Sequence, residues 1–119
     1  MISLTAVTIL VVEDEALIRL DLQVILAAFG ATVVEAESVA QARDLVGRMM
    51  MQAAVLDVLV PDGDTFGLAR ELLAAGVRVL FVTGIGEGIP ADLHHCPVVA
   101  KPFAGDELAG AVAALFDRG

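Results

Sequence analysis

The chain has 119 residues, of which 58% are hydrophobic and 4% aromatic, and its formal net charge is −9. This length is typical of one domain. Direct binding of nucleic acid is disfavoured, because phosphate contacts need clustered Lys and Arg, and the seven basic residues are scattered. No apolar run reaches the ~20 residues of a membrane span, and no basic segment opens a secretory signal. The single cysteine cannot form an internal disulfide, so we expect a cytoplasmic protein.

A strand signal followed by a helical signal opens the chain. Thr8 to Val12 is β-branched and wholly apolar, as in a strand that is covered on both faces. Glu15 to Phe29 has helical periodicity, and Gly30 is a natural stop after it. The inward face of this helix is predicted to consist of Ala16, Leu17, Leu20, Val24 and Ala27 or Ala28.

The remaining segments alternate in the same way. In chain order they predict strand Ala31–Ala36, helix Ser38–Met50, strand Ala53–Val58, helix Asp64–Ala75, strand Val77–Val82, strand Pro97–Ala100 and helix Ala104–Phe116. Ser38 and Asp64 can cap their helices, and Pro61-Asp62-Gly63 has the composition of a turn. Gly84 to Cys96 is rich in glycine and proline, with only a weak helical signal at Ala91 to His95.

Five strand–helix units with short connections predict an α/β fold with a doubly wound parallel sheet. In such sheets, ligands bind outside the carboxyl ends of the strands. Four of the five predicted strands end in residues with reactive or metal-binding side chains, which are Glu13 and Asp14, Asp57, Thr83, and Lys101. Lys101 is the only lysine of the chain.

Three carboxylates in one crevice repel one another unless a cation lies among them. A hard cation with oxygen ligands, such as Mg²⁺, would neutralise Glu13, Asp14 and Asp57. Asp57 follows a buried apolar run and is expected to lie deepest; there it can act as a nucleophile toward phosphorus. The metal, Lys101 and the Thr83 hydroxyl would then neutralise charge on the phosphoryl oxygens.

These residues, in this order, resemble the receiver domain of two-component response regulators. The resemblance covers the whole chain and is carried by Glu13-Asp14 in VVEDE, Asp57 in VLDV, Pro61, Thr83-Gly84 and Lys101-Pro102. It implies a flavodoxin-like sheet of five parallel strands in the order 2-1-3-4-5. The stretch Phe81-Val82-Thr83-Gly84 is also similar to the Phe-Ala-Thr-Gly pattern of a subgroup of stand-alone receivers.

The resemblance also implies a role for each site residue. Asp57 is the phosphoacceptor, and the Mg²⁺ ligands are Asp14 and Asp57 directly, Glu13 through water, and the backbone carbonyl of Leu59. Lys101 pairs with the phosphoryl group, and Thr83 donates a hydrogen bond to it. The Lys101–Pro102 peptide bond is expected to be cis.

A receiver of this kind accepts its phosphoryl group from a sensor histidine kinase or a histidine phosphotransfer protein. It then signals by protein–protein contact or by phosphorelay. It is not an enzyme in the usual sense, because it catalyses only its own phosphorylation and dephosphorylation. We expect residues 1–119 to be a single receiver domain without an output domain, and the sequence does not indicate an oligomeric state.

Three departures from the family pattern carry information. Val98 occupies the position, three residues before the lysine, where many receivers have Tyr or Phe. The glycine-rich stretch after Thr83 predicts a short or weakly ordered fourth helix. Leu59 and Ile85 lie two residues after Asp57 and Thr83, and as apolar residues they are expected to slow hydrolysis of an aspartyl phosphate.

Two other functions remain open on the residues alone. A receiver-like module that binds partners without being phosphorylated would have the same fold, but it has no reason to keep the full set of acidic residues, threonine and lysine. A small phosphohydrolase could use Asp57 as its nucleophile. Such enzymes commonly have a second Asp two residues later, where this chain has Leu59.

Overall fold

The computed structural model describes residues 2–84 and 88–117. The strands are β1 (Thr8–Val12), β2 (Thr32–Ala36), β3 (Ala53–Asp57), β4 (Leu59–Val60), β5 (Gly63–Asp64), β6 (Arg78–Thr83) and β7 (Val98–Ala100). The helices are α1 (Ala16–Ala28), α2 (Val39–Val46), α3 (Phe66–Ala74) and α4 (Gly105–Ala114), with a short 3₁₀ helix at Ala91–Leu93. All the predicted strands and helices are therefore present, with small shifts at their ends.

Five strands form one parallel sheet in the order β2-β1-β3-β6-β7. The two-residue strands β4 and β5 lie outside it and pair with each other as an antiparallel hairpin. Counted along the chain, the strands of the sheet thus have the order 2-1-3-4-5, which confirms the prediction. The carboxyl ends of β1, β3, β6 and β7 meet at one edge of the sheet.

The sheet is covered on both faces because successive strand residues point to opposite sides. On one face, β-strand side chains such as Leu56 and Phe81 pack against α2 and α3, and the rings of Phe66 and Phe81 meet edge to face at 5.9 Å. On the other face, residues such as Val11 and Leu80 pack against α1 and α4. This arrangement is the doubly wound one that the alternation of elements predicts.

The predicted inward face of α1 is wrong. Leu17, Leu20 and Val24 are 79%, 53% and 55% exposed, whereas Leu22 and Leu26 are buried. Helix α1 carries apolar residues on two sides, so periodicity alone did not distinguish the side that the sheet covers. An exposed apolar stripe therefore remains on the outer side of α1, formed by Leu17, Leu20 and Val24.

Other differences concern the ends of strands and helices. Helix α2 ends at Val46 rather than near Met50, although Ser38 is its N-cap and accepts a hydrogen bond from the backbone N–H of Gln41 at 3.1 Å, as expected. Thr65 occupies the N-cap position of α3 without a side-chain cap, whereas the carboxylate of Asp64 accepts a hydrogen bond from the backbone N–H of Phe66 at 3.1 Å, so Asp64 caps the first turn as expected. Between β6 and β7, the described residues contain only the 3₁₀ helix Ala91–Leu93, so the fourth helix of the alternation is short.

Candidate functional site

The strand ends bring three carboxylates together. Glu13 and Asp14 follow β1, and Asp57 is the last residue of β3. One oxygen atom from each of the three lies within 4.8 Å of the other two. Within residues 2–84 and 88–117, no other group of acidic, histidine and cysteine side chains has the spacing of a metal site.

Lys101 lies across this acidic group. Its Nζ donates hydrogen bonds to Oε1 of Glu13 at 2.8 Å and to Oδ2 of Asp57 at 3.2 Å. The backbone N–H of Lys101 donates to the carbonyl of Thr83 at 2.8 Å, which joins the ends of β6 and β7. The peptide bond between Lys101 and Pro102 is cis, as expected. Three carboxylates and one ammonium group leave the cluster with a formal charge of −2.

Glu13, not Asp57, is the deepest of the three acids. The Glu13 side chain is 1% exposed, whereas that of Asp57 is 13% exposed. Glu13 lies between Lys101 and the start of α1, where its Oε2 also accepts a hydrogen bond from the backbone N–H of Glu15 at 3.0 Å. Asp57 was expected to lie deepest because of the apolar run before it, but Glu13, which is paired with Lys101, is the more buried of the two.

Burial and pairing act on the pKa values of Glu13 and Lys101 in different ways. Burial raises the pKa of Glu13, and the hydrogen bonds from Lys101 and Glu15 offset this only in part. For Lys101, burial alone lowers the pKa, but the hydrogen bond to Glu13 and the charge of Asp57 outweigh it and raise the pKa. Lys101 is therefore a permanent cation at neutral pH within an acidic crevice.

The remaining predicted residues differ in their exposure. Asp14 is exposed at the crevice, and Thr83 is buried at the end of β6. Leu59 begins the β4–β5 hairpin immediately beyond the crevice, and its side chain is exposed. Val98, at the position that is aromatic in many receivers, is 48% exposed on β7. Ile85 lies outside the described residues.

Two residues that hold the backbone of the site, Arg19 and Thr65, were not among the predicted site residues. Arg19, on α1, donates from Nη1 to the carbonyl of Glu13 at 2.9 Å, and its Nε lies 3.4 Å from a carboxylate oxygen of Glu35. Thr65 is fully buried, and its hydroxyl donates to the carbonyl of Asp57 at 2.7 Å. Arg19 is the one basic residue of α1, which was a signal for it, whereas the sequence around Thr65 contained none.

A small cavity adjoins the crevice beside Lys101. It has a volume of about 260 Å³, and its lining is formed by Ile18, Asp21, Lys101, Pro102 and Phe103. The lining comes from α1 and from the segment that follows β7. The described part of the chain contains no helix with the length and hydropathy of a membrane span.

Comparison with known proteins agrees with this geometry. The family model described as "Response regulator receiver domain" matches residues 9–113. The chain is 30% identical over 115 residues to "Probable transcriptional regulator ycf27" of Guillardia theta, covering 92% of this chain and 45% of the relative. More generally, it spans about half the length of the curated relatives that it matches.

Solved structures of similar proteins have the same fold. SdrG from Sphingomonas melonis Fr1 superposes with a TM-score of 0.81 at 34% identity, covering 92% of this chain and 95% of SdrG. TrrA from Thermotoga maritima, determined in complex with Mg(2+)-BeF, superposes with a TM-score of 0.82 at 25% identity, covering 92% and 98% of the two chains. The sheet order, the acidic crevice and the family match agree, and the chain belongs to the response regulator receiver domain family.

Proposed function

We propose that the chain accepts a phosphoryl group on the carboxylate of Asp57. The observation that carries this proposal is the cluster of Glu13, Asp14 and Asp57, with Lys101 bonded to two of them. A carboxylate oxygen of Asp57 would attack the phosphorus of a phosphohistidine. A P–O bond forms, the P–N bond breaks, and its electron pair stays on the imidazole nitrogen. The product is an aspartyl phosphate.

The donor set fits a hard divalent cation such as Mg²⁺. Asp14 and Asp57 would bind it directly, Glu13 would act through water, and the backbone carbonyl of Leu59 would complete the protein ligands. The formal charge of −2 on the cluster favours a divalent ion over a monovalent one. When bound, such an ion neutralises charge on the non-bridging phosphoryl oxygens. The Mg(2+)-BeF complex of TrrA supports this assignment.

Lys101 and Thr83 would act on the transferred group. Lys101 already contacts Asp57 Oδ2, so a phosphoryl group on Asp57 would place anionic oxygens within reach of the Lys101 ammonium. Its second bond, to the buried Glu13, would keep the lysine at the crevice while it turns toward those oxygens. Thr83 would donate its hydroxyl hydrogen bond to the same group from the end of β6.

The phosphoryl donor would be a sensor histidine kinase or a histidine phosphotransfer protein, acting in the cytoplasm. Such a partner must cover the mouth of the crevice to bring its phosphohistidine to Asp57. Leu17 and Leu20 leave an apolar surface on α1, and the cavity beside Phe103 lies next to the crevice. These features suit a partner with apolar side chains. The phosphorylated chain would then signal by protein–protein contact or pass the group on in a phosphorelay.

Intact-mass measurement after incubation with acetyl phosphate tests the assignment. Wild type should gain one phosphoryl group in the presence of Mg²⁺ and none after chelation of divalent cations. Asp57→Asn should gain none. Asp44→Asn is the matched control, because Asp44 is an exposed aspartate on α2 that pairs only with Arg48 among the described residues. The control should label like wild type.

The same experiment separates the two alternatives. Absence of any adduct on a folded wild-type protein would favour an interaction module that is not phosphorylated. Repeated turnover of a phosphate ester without a stable adduct would favour a phosphohydrolase. Undiminished labelling of Asp57→Asn would show that the acceptor is another residue.

A further inference from the structure

Thr65 closes the base of the loop that follows Asp57. Its side chain is fully buried, and its hydroxyl donates to the carbonyl of Asp57 at 2.7 Å. Its backbone N–H donates to the carbonyl of Val58 at 3.0 Å. The two ends of the segment 58–65 are therefore joined by both the side chain and the backbone of one residue.

The two hydrogen bonds donated by Thr65, to the carbonyls of Asp57 and Val58, are called the Thr65 clamp. The clamp lies where sheet pairing ends on one side of β3. The register between β1 and β3 ends at Val12 and Leu56, one residue before Asp57. On that side, strand pairing no longer restrains the backbone of Asp57. The hydroxyl of Thr65 supplies a hydrogen bond to this backbone at the point where its carboxylate enters the crevice.

The rest of the loop is fixed by other contacts. Leu59 pairs with Asp64 in the β4–β5 hairpin, so the backbone of Leu59 is held directly beside the Thr65 clamp. At the tip, the carboxylate of Asp62 accepts hydrogen bonds from the backbone N–H groups of Val39 and Ala40, both at 2.9 Å. The loop is thus held to α2 at its tip and to β3 at its base.

We infer that Thr65 is a positioning residue for phosphoryl acceptance. Its hydroxyl holds the backbone of Asp57, and through the base of the hairpin it holds that of Leu59. One residue thereby orients both the phosphoacceptor carboxylate and the backbone carbonyl proposed to bind the cation. The inference rests on the proposed function of Asp57. It adds a residue that touches neither the phosphoryl group nor the cation.

The test compares variants of Thr65 with and without the hydroxyl. Thr65→Val has nearly the same shape without the donor, and Thr65→Ser keeps the donor. Thr65→Ala replaces the valine variant if that variant does not fold. The control for general destabilisation is a core variant on α3, such as Leu72→Val, with a thermal midpoint matched to that of Thr65→Val. Two quantities are measured, namely the rate of labelling by acetyl phosphate with Mg²⁺ and amide hydrogen exchange across residues 58–65 without Mg²⁺.

We expect Thr65→Val to label about tenfold more slowly than wild type, because small displacements of a nucleophile have large effects on rate. Its amides in 58–65 should exchange faster, while Thr65→Ser and the matched core variant should resemble wild type in both measurements. Labelling of Thr65→Val at the wild-type rate would overturn this inference alone. An equally slow core variant would also overturn it, because the effect would then be one of global stability. Absence of labelling in wild type would overturn the proposed function, and this inference with it.

Discussion

Lys101 donates to Glu13 at 2.8 Å, a shorter hydrogen bond than the one of 3.2 Å that it donates to Asp57. Glu13 is also the more buried of the two acids. The lysine is therefore held mainly by an acid that is not the proposed phosphoacceptor. The contact between Lys101 and Asp57 is therefore the weaker of the two. A phosphoryl group on Asp57 would replace this weaker contact.

Removal of the lysine should destabilise the protein in the absence of divalent cations. Among the described residues, Lys101→Met leaves the backbone N–H of Glu15, at 3.0 Å, as the remaining hydrogen-bond donor to the buried Glu13 carboxylate. We expect the free energy of unfolding at neutral pH to fall by about 1–3 kcal/mol, the cost of an unsatisfied buried group. Urea unfolding with and without Mg²⁺ measures this, and added Mg²⁺ should recover part of the loss by neutralising the same carboxylates.

Lys101→Arg is the matched control, since it keeps the positive charge and should lose less stability than the methionine variant. Equal stability of Lys101→Met and wild type in a chelating buffer would contradict the importance of this pair for the fold.

The buried carboxyl of Glu13 should make stability depend on pH. Its pKa is raised above the usual 4.5, chiefly by burial. The stability that Glu13 contributes is therefore fully present below about pH 4.5, the pKa of an unperturbed glutamate. It declines as the pH rises through the higher pKa that Glu13 has in the folded protein. Relative to Glu13→Gln, which does not titrate at this position, wild type should lose free energy of unfolding as the pH rises from about 4.5. Urea unfolding of both proteins in a chelating buffer measures the difference, and a constant or opposite difference would refute this assignment.

The fold and the location of the site could be predicted because both depend on short-range patterns. Apolar, β-branched runs marked the strands, and parallel strands necessarily bring their carboxyl ends to one edge. Glu13, Asp14 and Asp57 could thus be placed together without knowledge of any contact. Lys101, as the only lysine, was conspicuous at the end of the last strand.

Features that depend on packing between distant segments could not be predicted. The inward face of α1 was ambiguous because Leu17 and Leu22 lie on opposite apolar sides of one helix. The order of depth of Glu13 and Asp57 depends on Lys101, which is 88 residues from Glu13 along the chain. The bond from Thr65 to the Asp57 carbonyl involves a common residue type in a turn, and nothing in its neighbours indicates burial.

Asp62 should stabilise the start of α2 in a pH-dependent way. The hydrogen bonds from Val39 and Ala40 lower its pKa below the usual 3.8. The stability it contributes is present above about pH 3.8 and is lost as the pH falls through the lower folded value. Asp62→Ala should lower the thermal midpoint at neutral pH by less than a core truncation does. The difference in thermal midpoint between Asp62→Ala and wild type should disappear in acid.

Thermal unfolding at several pH values measures the effect of Asp62. Asp44→Ala is the control, because Asp44 is an exposed aspartate within α2 that pairs with Arg48. A gap for Asp62→Ala that persists unchanged in strong acid would contradict the capping role.

The apolar side chain of Leu59 should prolong the life of a phosphoryl group on Asp57. Leu59 is 62% exposed beyond the crevice, and a leucine cannot hold an attacking water by hydrogen bonds. Leu59→Asn should therefore accelerate loss of the adduct, with a reduction of the barrier of ~1–3 kcal/mol. Time-resolved intact mass after removal of acetyl phosphate measures the decay. Leu20→Asn, an exposed leucine of α1, is the control. Decay of Leu59→Asn at the wild-type rate would show that this side chain does not set the lifetime.

The most direct test of the central claim is to locate the phosphoryl group within the chain. Wild-type protein is labelled with acetyl phosphate and Mg²⁺ and then treated with borohydride, which reduces an aspartyl phosphate to homoserine. Peptide mass spectrometry should find homoserine at position 57, in the segment that follows Leu56, and aspartate at positions 14 and 62. Homoserine at another aspartate, or an adduct that borohydride does not reduce, would contradict phosphoryl acceptance by Asp57.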